Sequence, residues 1–261
     1  MDDKLFSVKE QVVLVSGGSR GIGKALAGGF AARGAQVVIA GRDIETLEQT
    51  AKEISTGAKP VKAIACDVAD PDQVQRLVDE TVSACGHIDT LISVAGVNKR
   101  MRAENYQIDE YDWIMDINLR GAFVLAQAAG RHMIARKSGC LINVDSLNTY
   151  APLPGVTPYA MSKAGVLMMT RALAQEWGPH GIRVNSIAPG FFPTDLSRKL
   201  WAQDKMAQWG KTNTPLGKLG DVADLVGTAI FLASSASAFV TGQTIRVDGG
   251  VTAGMHWPIE L

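Results

Sequence analysis

The chain has 261 residues, of which 46% are hydrophobic and 20% are charged, so it can bury a large core. Its 26 basic and 26 acidic residues cancel, which predicts a small-molecule substrate and neither nucleic acid nor a membrane as a partner. The acidic start is unlike a secretory signal, and three cysteines without a CxxC pair suit reduced thiols, so we expect a cytoplasmic protein.

Seven short β-branched runs alternate with longer helical patterns. The predicted strands cover residues 11–16, 36–41, 61–66, 89–96, 139–146, 182–190 and 243–250. Parallel strands joined by helices need right-handed crossovers, so the pattern predicts an α/β fold with a doubly wound, parallel, seven-stranded sheet and helices on both faces. We expect a single domain over residues 1–261. Residues 191–215 fall outside the alternation, and such a long aromatic segment is typical of a mobile substrate lid.

The first predicted strand runs directly into "SGGSRGIG", residues 16–23. Glycines at 17, 21 and 23 allow a tight strand-to-helix turn with exposed backbone amides, and the N-terminus of the following helix favours negative charge. A turn with a purely structural role is the alternative. The position in the first strand–helix unit favours a binding site for the pyrophosphate of a dinucleotide.

Two arginines bear on the choice of nicotinamide cofactor. Arg20 lies within the glycine loop, and Arg42 follows the second strand. An acidic side chain at that strand end would bind the ribose 2′-hydroxyl of NAD, whereas an arginine suits the 2′-phosphate of NADP. We therefore predict that NADP(H) is preferred. Asp43 keeps NAD(H) as an alternative, because a register shift of one or two residues would give it the acidic role.

Further motifs resemble the short-chain dehydrogenase/reductase family along nearly the whole chain. They are "SGGSRGIG", "CDV" (66–68), "NLRGAF" (118–123), "INVDS" (142–146), "YAMSK" (159–163) and "VNSIAPGFFPT" (184–194). The resemblance implies a Rossmann fold, interconversion of a secondary alcohol and a ketone, a homotetramer, and a catalytic tetrad of Asn118, Ser146, Tyr159 and Lys163. With the glycine loop and Arg42, the expected cofactor contacts are Gly17, Ser19, Arg20, Gly21, Ile22, Gly23, Arg42, Asp67, Val68, Ala95, Gly96, Tyr159, Lys163, Gly190, Phe192 and Thr194.

Tyr159 and Lys163 are four residues apart, which places them on one face of a helix. In isolation such a pair is more often two surface residues. Here a neighbouring ammonium and a positive nicotinamide would stabilise the phenolate, so we expect Tyr159 to be the acid/base. Lys163 is also expected to hold the nicotinamide ribose. Ser146 would donate to the substrate oxygen, and Asn118 would orient a water that relays protons.

The segment "NKRMRAENY", residues 98–106, follows the fourth predicted strand. Loops at the carboxyl ends of parallel strands form the binding crevice, so its basic side chains should flank the catalytic residues. A solvated loop is the alternative. Because the segment is similar to the gluconate 5-dehydrogenase-like branch of the family, we expect a sugar acid or related polyol whose carboxylate binds Arg100 or Arg102.

Two other functions stay open: a reductase of acyl-carrier-bound 3-oxo groups, and a nicotinamide-binding regulator without catalysis. The four histidines are scattered, so we expect no metal site. The homotetramer implied by the resemblance would pair helices at 112–136 and 158–178 with their copies. Small residues along these helices, such as Ala122 and Gly165, would permit close approach, although packing within the chain would use them too.

Overall fold

The sheet determines where the functional groups meet. A computed structural model describes residues 4–56 and 59–254. Its seven parallel strands have the order β3-β2-β1-β4-β5-β6-β7. They are β1 (Val12–Ser16), β2 (Gln36–Gly41), β3 (Lys62–Ala65), β4 (Thr90–Ser93), β5 (Gly139–Val144), β6 (Ile182–Pro189) and β7 (Thr244–Val247). Each strand lies within the run predicted for it, so the predicted doubly wound sheet is confirmed.

Helices cover both faces of the sheet. They are α1 (Gly21–Ala31), α2 (Ile44–Ile54), α3 (Pro71–Cys85), α4 (Ile108–Met115), α5 (Gly121–Arg136), α6 (Thr157–Trp177), α7 (Arg198–Trp201), α8 (Asp204–Thr212) and α9 (Val226–Ala233). Within residues 4–56 and 59–254, no helix combines the length and the apolar character that crossing a bilayer requires.

Alternation along the strands produces two separate cores. Leu14 of β1 packs with buried side chains of α3, α5 and α6 on one face. Its neighbours Val13 and Val15 pack with α1, α2 and α9 on the other face. Because successive strand side chains point to opposite faces, one apolar run supplies both layers.

The strand order reverses direction between β1 and β4. Strand β1 pairs in parallel with β2 on one side and with β4 on the other. Crossovers leave this point toward opposite faces, which opens a crevice at the carboxyl ends of the strands. The glycine loop after β1 and the loop after β4 therefore meet at the same edge.

The predicted helix over residues 112–136 is interrupted. Residues Asp116–Arg120 form a π-helical turn between α4 and α5. A π turn inserts one extra residue into the helical repeat and changes the direction of the side chains on it. The hydrophobic periodicity continues through this stretch, so the sequence pattern did not show the interruption.

Candidate active site

The glycine loop between β1 and α1 is packed too tightly for side chains at two positions. Gly17 has φ +69°, and an added Cβ would lie 2.8 Å from the Ala95 nitrogen. A Cβ on Gly23 would lie 2.1 Å from the carbonyl oxygen of Gly17. At these positions the backbone carries no side chain at the crevice, as close contact with a pyrophosphate requires.

The N-terminus of α1 differs from those of α2 and α3. Asp43 caps α2 through the Thr46 amide, and Asp70 caps α3 through the amides of Asp72 and Gln73. At α1 the N-cap residue is Arg20, whose side chain makes no capping hydrogen bond. The first amides of α1 are thus available to an anion, so the residues present fit the phosphates of a dinucleotide.

The capping role of Asp43 also bears on the cofactor's ribose. Both of its carboxylate oxygens accept hydrogen bonds from Thr46, at 3.2 Å from the amide and 2.9 Å from the hydroxyl. These bonds lower the pKa of Asp43, with a smaller contribution from the charge of Arg20. Arg42 follows β2 directly and is exposed. The acidic group is therefore engaged in the helix cap, and the basic group is free to face the ribose.

The other predicted cofactor positions lie along the same edge of the sheet. Asp67 and Val68 follow β3, and the Asp67 carboxylate accepts from the Ala69 amide at 3.0 Å. Gly190 follows β6 and packs against the backbone of Asp248, where a Cβ would lie 2.6 Å from its Cα. Ten of the sixteen predicted cofactor contacts follow the ends of β1, β2, β4 and β6 or line the cavity described below: Gly17, Ile22, Arg42, Ala95, Gly96, Tyr159, Lys163, Gly190, Phe192 and Thr194.

Ser146 and Tyr159 converge on one cavity. Ser146 is buried just beyond the end of β5, and its Oγ accepts hydrogen bonds from the Asn148 amide and side chain at 3.1 and 3.2 Å. Tyr159 lies in the first turn of α6 and lines the same cavity. Burial raises the pKa of the Tyr159 phenol, and hydrogen bonding by Ser146 opposes that rise. A protonated phenol beside a serine hydroxyl can donate to a substrate oxygen.

The π-helical turn gives Asn118 its position. Its Oδ1 accepts from the Val97 amide at 2.7 Å, and its Nδ2 donates to the Val97 carbonyl at 2.9 Å and to Ser162 Oγ at 3.1 Å. Asn118 thereby connects the loop after β4 to α6. Both N–H groups and one lone pair of its amide are used in these bonds, which fix the backbone beside α6.

Lys163 lies on the same face of α6 as Tyr159 but does not contact the phenol oxygen through its ammonium. Its Nζ lies 5.8 Å from the centre of the Tyr159 ring and donates to the Val144 carbonyl at 2.7 Å. Burial lowers the pKa of Lys163 to about 8, against the attraction of Asp145. The lysine charge is therefore held within the same buried region as Tyr159, and it is sensitive to mild alkali.

Asp145 is a functional candidate that the sequence analysis did not single out. It precedes Ser146, lines the cavity and is almost completely buried. Its Oδ1 accepts from Thr149 Oγ1 at 2.6 Å, while its Oδ2 is buried without a hydrogen-bond partner. Burial raises the pKa of Asp145 to about 6. The motif "INVDS" contained the residue, but only the fold shows that this carboxylate is enclosed.

The cavity above these residues has a volume of about 430 Å³. Arg100 lines it, and its charge lowers the pKa of the Tyr159 phenol against the larger effect of burial. Arg102 does not line the cavity; its side chain is 84% exposed and lies 3.7 Å from Glu104. Of the two predicted anion contacts, the fold therefore brings only Arg100 toward the catalytic residues.

Helices α7 and α8, in the segment predicted to be a lid, contribute side chains to the lining of the cavity. The Phe191 ring packs against Trp201 and Trp209, with centroid distances of 5.1 and 5.3 Å. Both tryptophans also line the cavity. Within the part of the chain that the structure describes, no cluster of three or more histidine, cysteine or acidic side chains could hold a metal ion.

Comparison with known proteins places this geometry in a family. A family model described as Enoyl-(Acyl carrier protein) reductase matches residues 17–252. Gluconate 5-dehydrogenase of Gluconobacter oxydans is 38% identical over 96% of this chain and 98% of its own length. The 5-keto-D-gluconate 5-reductase of Escherichia coli is 34% identical, with 95% and 97% covered.

A solved structure of a related enzyme has the same fold. The gluconate 5-dehydrogenase from Burkholderia cenocepacia, in complex with NADP and tartrate, superposes with a TM-score of 0.93 at 38% identity, covering 97% of this chain and 99% of that chain. The chain belongs to the short-chain dehydrogenase/reductase family. The prediction of an enzyme that acts on CH–OH groups with a nicotinamide cofactor is confirmed.

Proposed function

We propose that this chain is an NADP(H)-dependent oxidoreductase that interconverts a secondary alcohol and a ketone on a substrate with a carboxylate. The observation that carries the proposal is the convergence of Ser146 and Tyr159 on one cavity, at the sheet edge that also presents the uncapped N-terminus of α1. A sensor would need the cofactor loop but not this pair of hydroxyls beside a buried lysine. Catalysis is therefore favoured over a regulatory role.

The preference for NADP is supported by charge. Asp43 is engaged in capping α2, while Arg42 is exposed beside β2. An arginine can donate two parallel hydrogen bonds to a phosphate. The Burkholderia relative was solved with NADP, which agrees with this choice.

The chain's own residues account for proton handling. The nicotinamide, when bound, supplies or accepts the hydride. Tyr159 holds a proton on its phenol oxygen at neutral pH, because burial disfavours the phenolate. Ser146 holds the substrate oxygen near that phenol, and Lys163 adds positive charge within the same buried region. Donation from Tyr159 to a ketone oxygen then yields the alcohol, and the reverse transfer serves oxidation.

Arg100 is proposed as the carboxylate contact. Among the described residues that line the cavity, the only other cationic side chain is Lys163, which donates to the Val144 carbonyl. The relatives named for gluconate, and the tartrate in the Burkholderia structure, are acids, so sugar acids are the first substrates to test. Arg102 is not part of this proposal because it is turned to solvent beside Glu104.

Two wider properties belong to the same proposal. We propose that the protein is cytoplasmic, which its free cysteines support. We also propose a homotetramer, which exposed apolar side chains on α5 and α6 support. Burial raises the pKa of the Cys140 thiol to about 11, so that thiol is unreactive. The lid role of residues 191–215 is also proposed, because side chains of α7 and α8 line the cavity.

The deciding experiment is a dehydrogenase assay with both cofactors against sugar acids, polyols, steroids and a 3-oxoacyl thioester. We expect turnover of carboxylate-bearing compounds with NADP(H). Tyr159→Phe should lower kcat by roughly 10² to 10⁴, the range for a general acid/base, while the Kd for NADPH stays unchanged because the ring is kept. More than a tenth of the activity in this variant would contradict the mechanism. Preference for the thioester would favour the acyl-carrier alternative, and no turnover of any compound would favour the regulator.

A further inference from the structure

Two segments give the cavity an apolar lining: the stretch that follows β5, and α7 and α8 with the residues before them. The first contributes Leu147, Leu153, Pro154 and Val156; the second contributes Leu196, Leu200, Trp201, Met206 and Trp209. The Phe191 ring packs against both tryptophans. The apolar side chains of these two segments form the apolar wall of the cavity that Ser146 and Tyr159 also line.

Most polar groups close to the apolar wall are already bonded within the protein. The Asn148 amide nitrogen donates to Ser146 Oγ, and its oxygen accepts from the Leu153 amide at 2.9 Å. Ser197 Oγ donates to the Phe192 carbonyl at 2.7 Å and accepts from the Thr194 amide at 3.1 Å. Ser197 thereby uses its only proton, whereas Asn148 keeps one N–H and one lone pair. Asn98 also lines the cavity, and its buried Oδ1 has no hydrogen-bond partner among the described residues.

A polyhydroxylated substrate has more hydroxyl groups than these few side chains can bind, so it would bind poorly against the apolar wall. Each hydroxyl that leaves water needs a hydrogen-bond partner, and an unpartnered one weakens binding. The wall offers aromatic faces and aliphatic carbons instead, which favour an aryl or alkyl group. Arg100 remains as the single charged side chain, among the described residues lining the cavity, that is neither buried like Asp145 nor bonded like Lys163.

We propose that the substrate is an amphipathic oxo or hydroxy acid: a carboxylate that binds Arg100, a reacting carbon at Ser146 and Tyr159, and an aryl or alkyl arm against the apolar wall. This inference rests on the proposed function and specifies its substrate class. In the reductive direction the carbonyl carbon receives hydride from NADPH and the oxygen receives the proton of Tyr159, which gives the secondary alcohol and NADP⁺. Sugar acids would then be poor substrates despite the relatives' names.

A matched set of carbonyl compounds tests the arm. The compound 5-oxohexanoate has the carbon skeleton and carbonyl position of 5-keto-D-gluconate without its hydroxyls. In 5-oxo-5-phenylpentanoate a phenyl group replaces the methyl group of 5-oxohexanoate. A shorter acid, 3-oxo-3-phenylpropanoate, varies the distance between carboxylate and carbonyl. With NADPH, kcat/KM for the best aryl or alkyl acid should exceed that for 5-keto-D-gluconate by tenfold or more, roughly the discrimination that an apolar pocket provides.

Variants of the apolar wall test whether it causes the preference for aryl or alkyl acids. Trp201→Ala removes part of the apolar wall, and Met206→Gln makes it polar at nearly constant volume, which protects the test against misfolding of the truncated variant. Each should reduce the preference at least fivefold. Phe239→Ala, at a fully exposed phenylalanine, is the matched control and should leave the preference unchanged. Arg100→Ala should raise KM for the acids and leave the Kd of NADPH unchanged.

The outcomes separate the two proposals. Equal turnover of both classes, or faster turnover of 5-keto-D-gluconate, overturns the amphipathic substrate and leaves the proposed function intact. Turnover of phenyl ketones that lack a carboxylate at the rate of the acids overturns the role of Arg100. Failure of every carbonyl compound with either cofactor overturns the proposed function and this inference with it.

Discussion

Asp145 and Lys163 form an unusual pair of buried charges at the catalytic residues. The Lys163 ammonium donates to the carbonyl of Val144, the residue before Asp145. The carboxylate raises the pKa of the lysine, and it also raises the pKa of the Tyr159 phenol because it repels a phenolate. One carboxylate thus favours the protonated form of both groups that the proposed mechanism uses.

Replacing this carboxylate should move the pH dependence of catalysis. In Asp145→Asn the attraction on Lys163 is lost, so the lysine pKa falls below about 8, and the phenol pKa falls too. The alkaline limb of the kcat/KM profile should therefore shift to lower pH. The measurement is ketone reduction with NADPH between pH 5 and 10. Asp79→Asn, at an exposed position on α3, serves as the control, and coincident profiles of wild type and Asp145→Asn would refute the role of Asp145.

The cofactor preference is a second effect of single residues. Arg42→Asp replaces attraction for a 2′-phosphate with repulsion. A charge-assisted hydrogen bond contributes about 1.5–3 kcal/mol, so the preference for NADP over NAD should fall by one to two orders of magnitude in kcat/KM. Arg33→Asp, on the exposed segment after α1, changes the net charge equally and should not alter the preference. A wild type that already prefers NAD would contradict the assignment.

At the scale of elements, the sequence predicted strands better than it predicted the placement of side chains. Buried β-branched runs between turns indicate strands directly, and all seven lie where they were expected. The π-helical turn at Asp116–Arg120 escaped prediction because the apolar pattern continues across it. The motif identified Asn118, but its bonds to Val97 and Ser162 depend on that turn. The enclosure of Asp145 likewise depends on contacts between segments far apart in the chain.

Phe191 contacts both helices of the proposed lid, through Trp201 of α7 and Trp209 of α8. Phe191→Leu keeps apolar volume but loses the ring contacts with Trp201 and Trp209, each worth about 0.5–1.5 kcal/mol. Amides of α8 should exchange with deuterium about tenfold faster, and substrate KM should rise severalfold. Phe6→Leu removes a ring that packs on Phe231, far from the cavity, and is the control. Unchanged exchange in α8 would show that other contacts hold the lid.

At the scale of the whole molecule, the two faces of the sheet are covered differently. On the face with α1, α2 and α9 the core is closed by these helices. On the other face, α5 and α6 leave Phe123, Met161 and Met168 about half exposed. Most of the small residues expected to support helix pairing serve this chain's own packing. Ala122, Ala126 and Ala129 belong to its core, and Gly165 lies against Leu119.

The exposed apolar side chains of α5 and α6 predict self-association through that face. Exposed apolar patches are typical of interfaces between chains. Light scattering at micromolar concentration should give about four times the chain mass of 27.8 kDa. The double variant Phe123→Glu with Met168→Glu would bury charges in the interface, so its mass should fall to that of a dimer or monomer. Gln49→Glu adds a charge at an exposed position of α2, on the opposite face, and should keep the wild-type mass. A monomeric wild type would contradict the proposed tetramer, and an unchanged mass in the double variant would exclude this face as its interface.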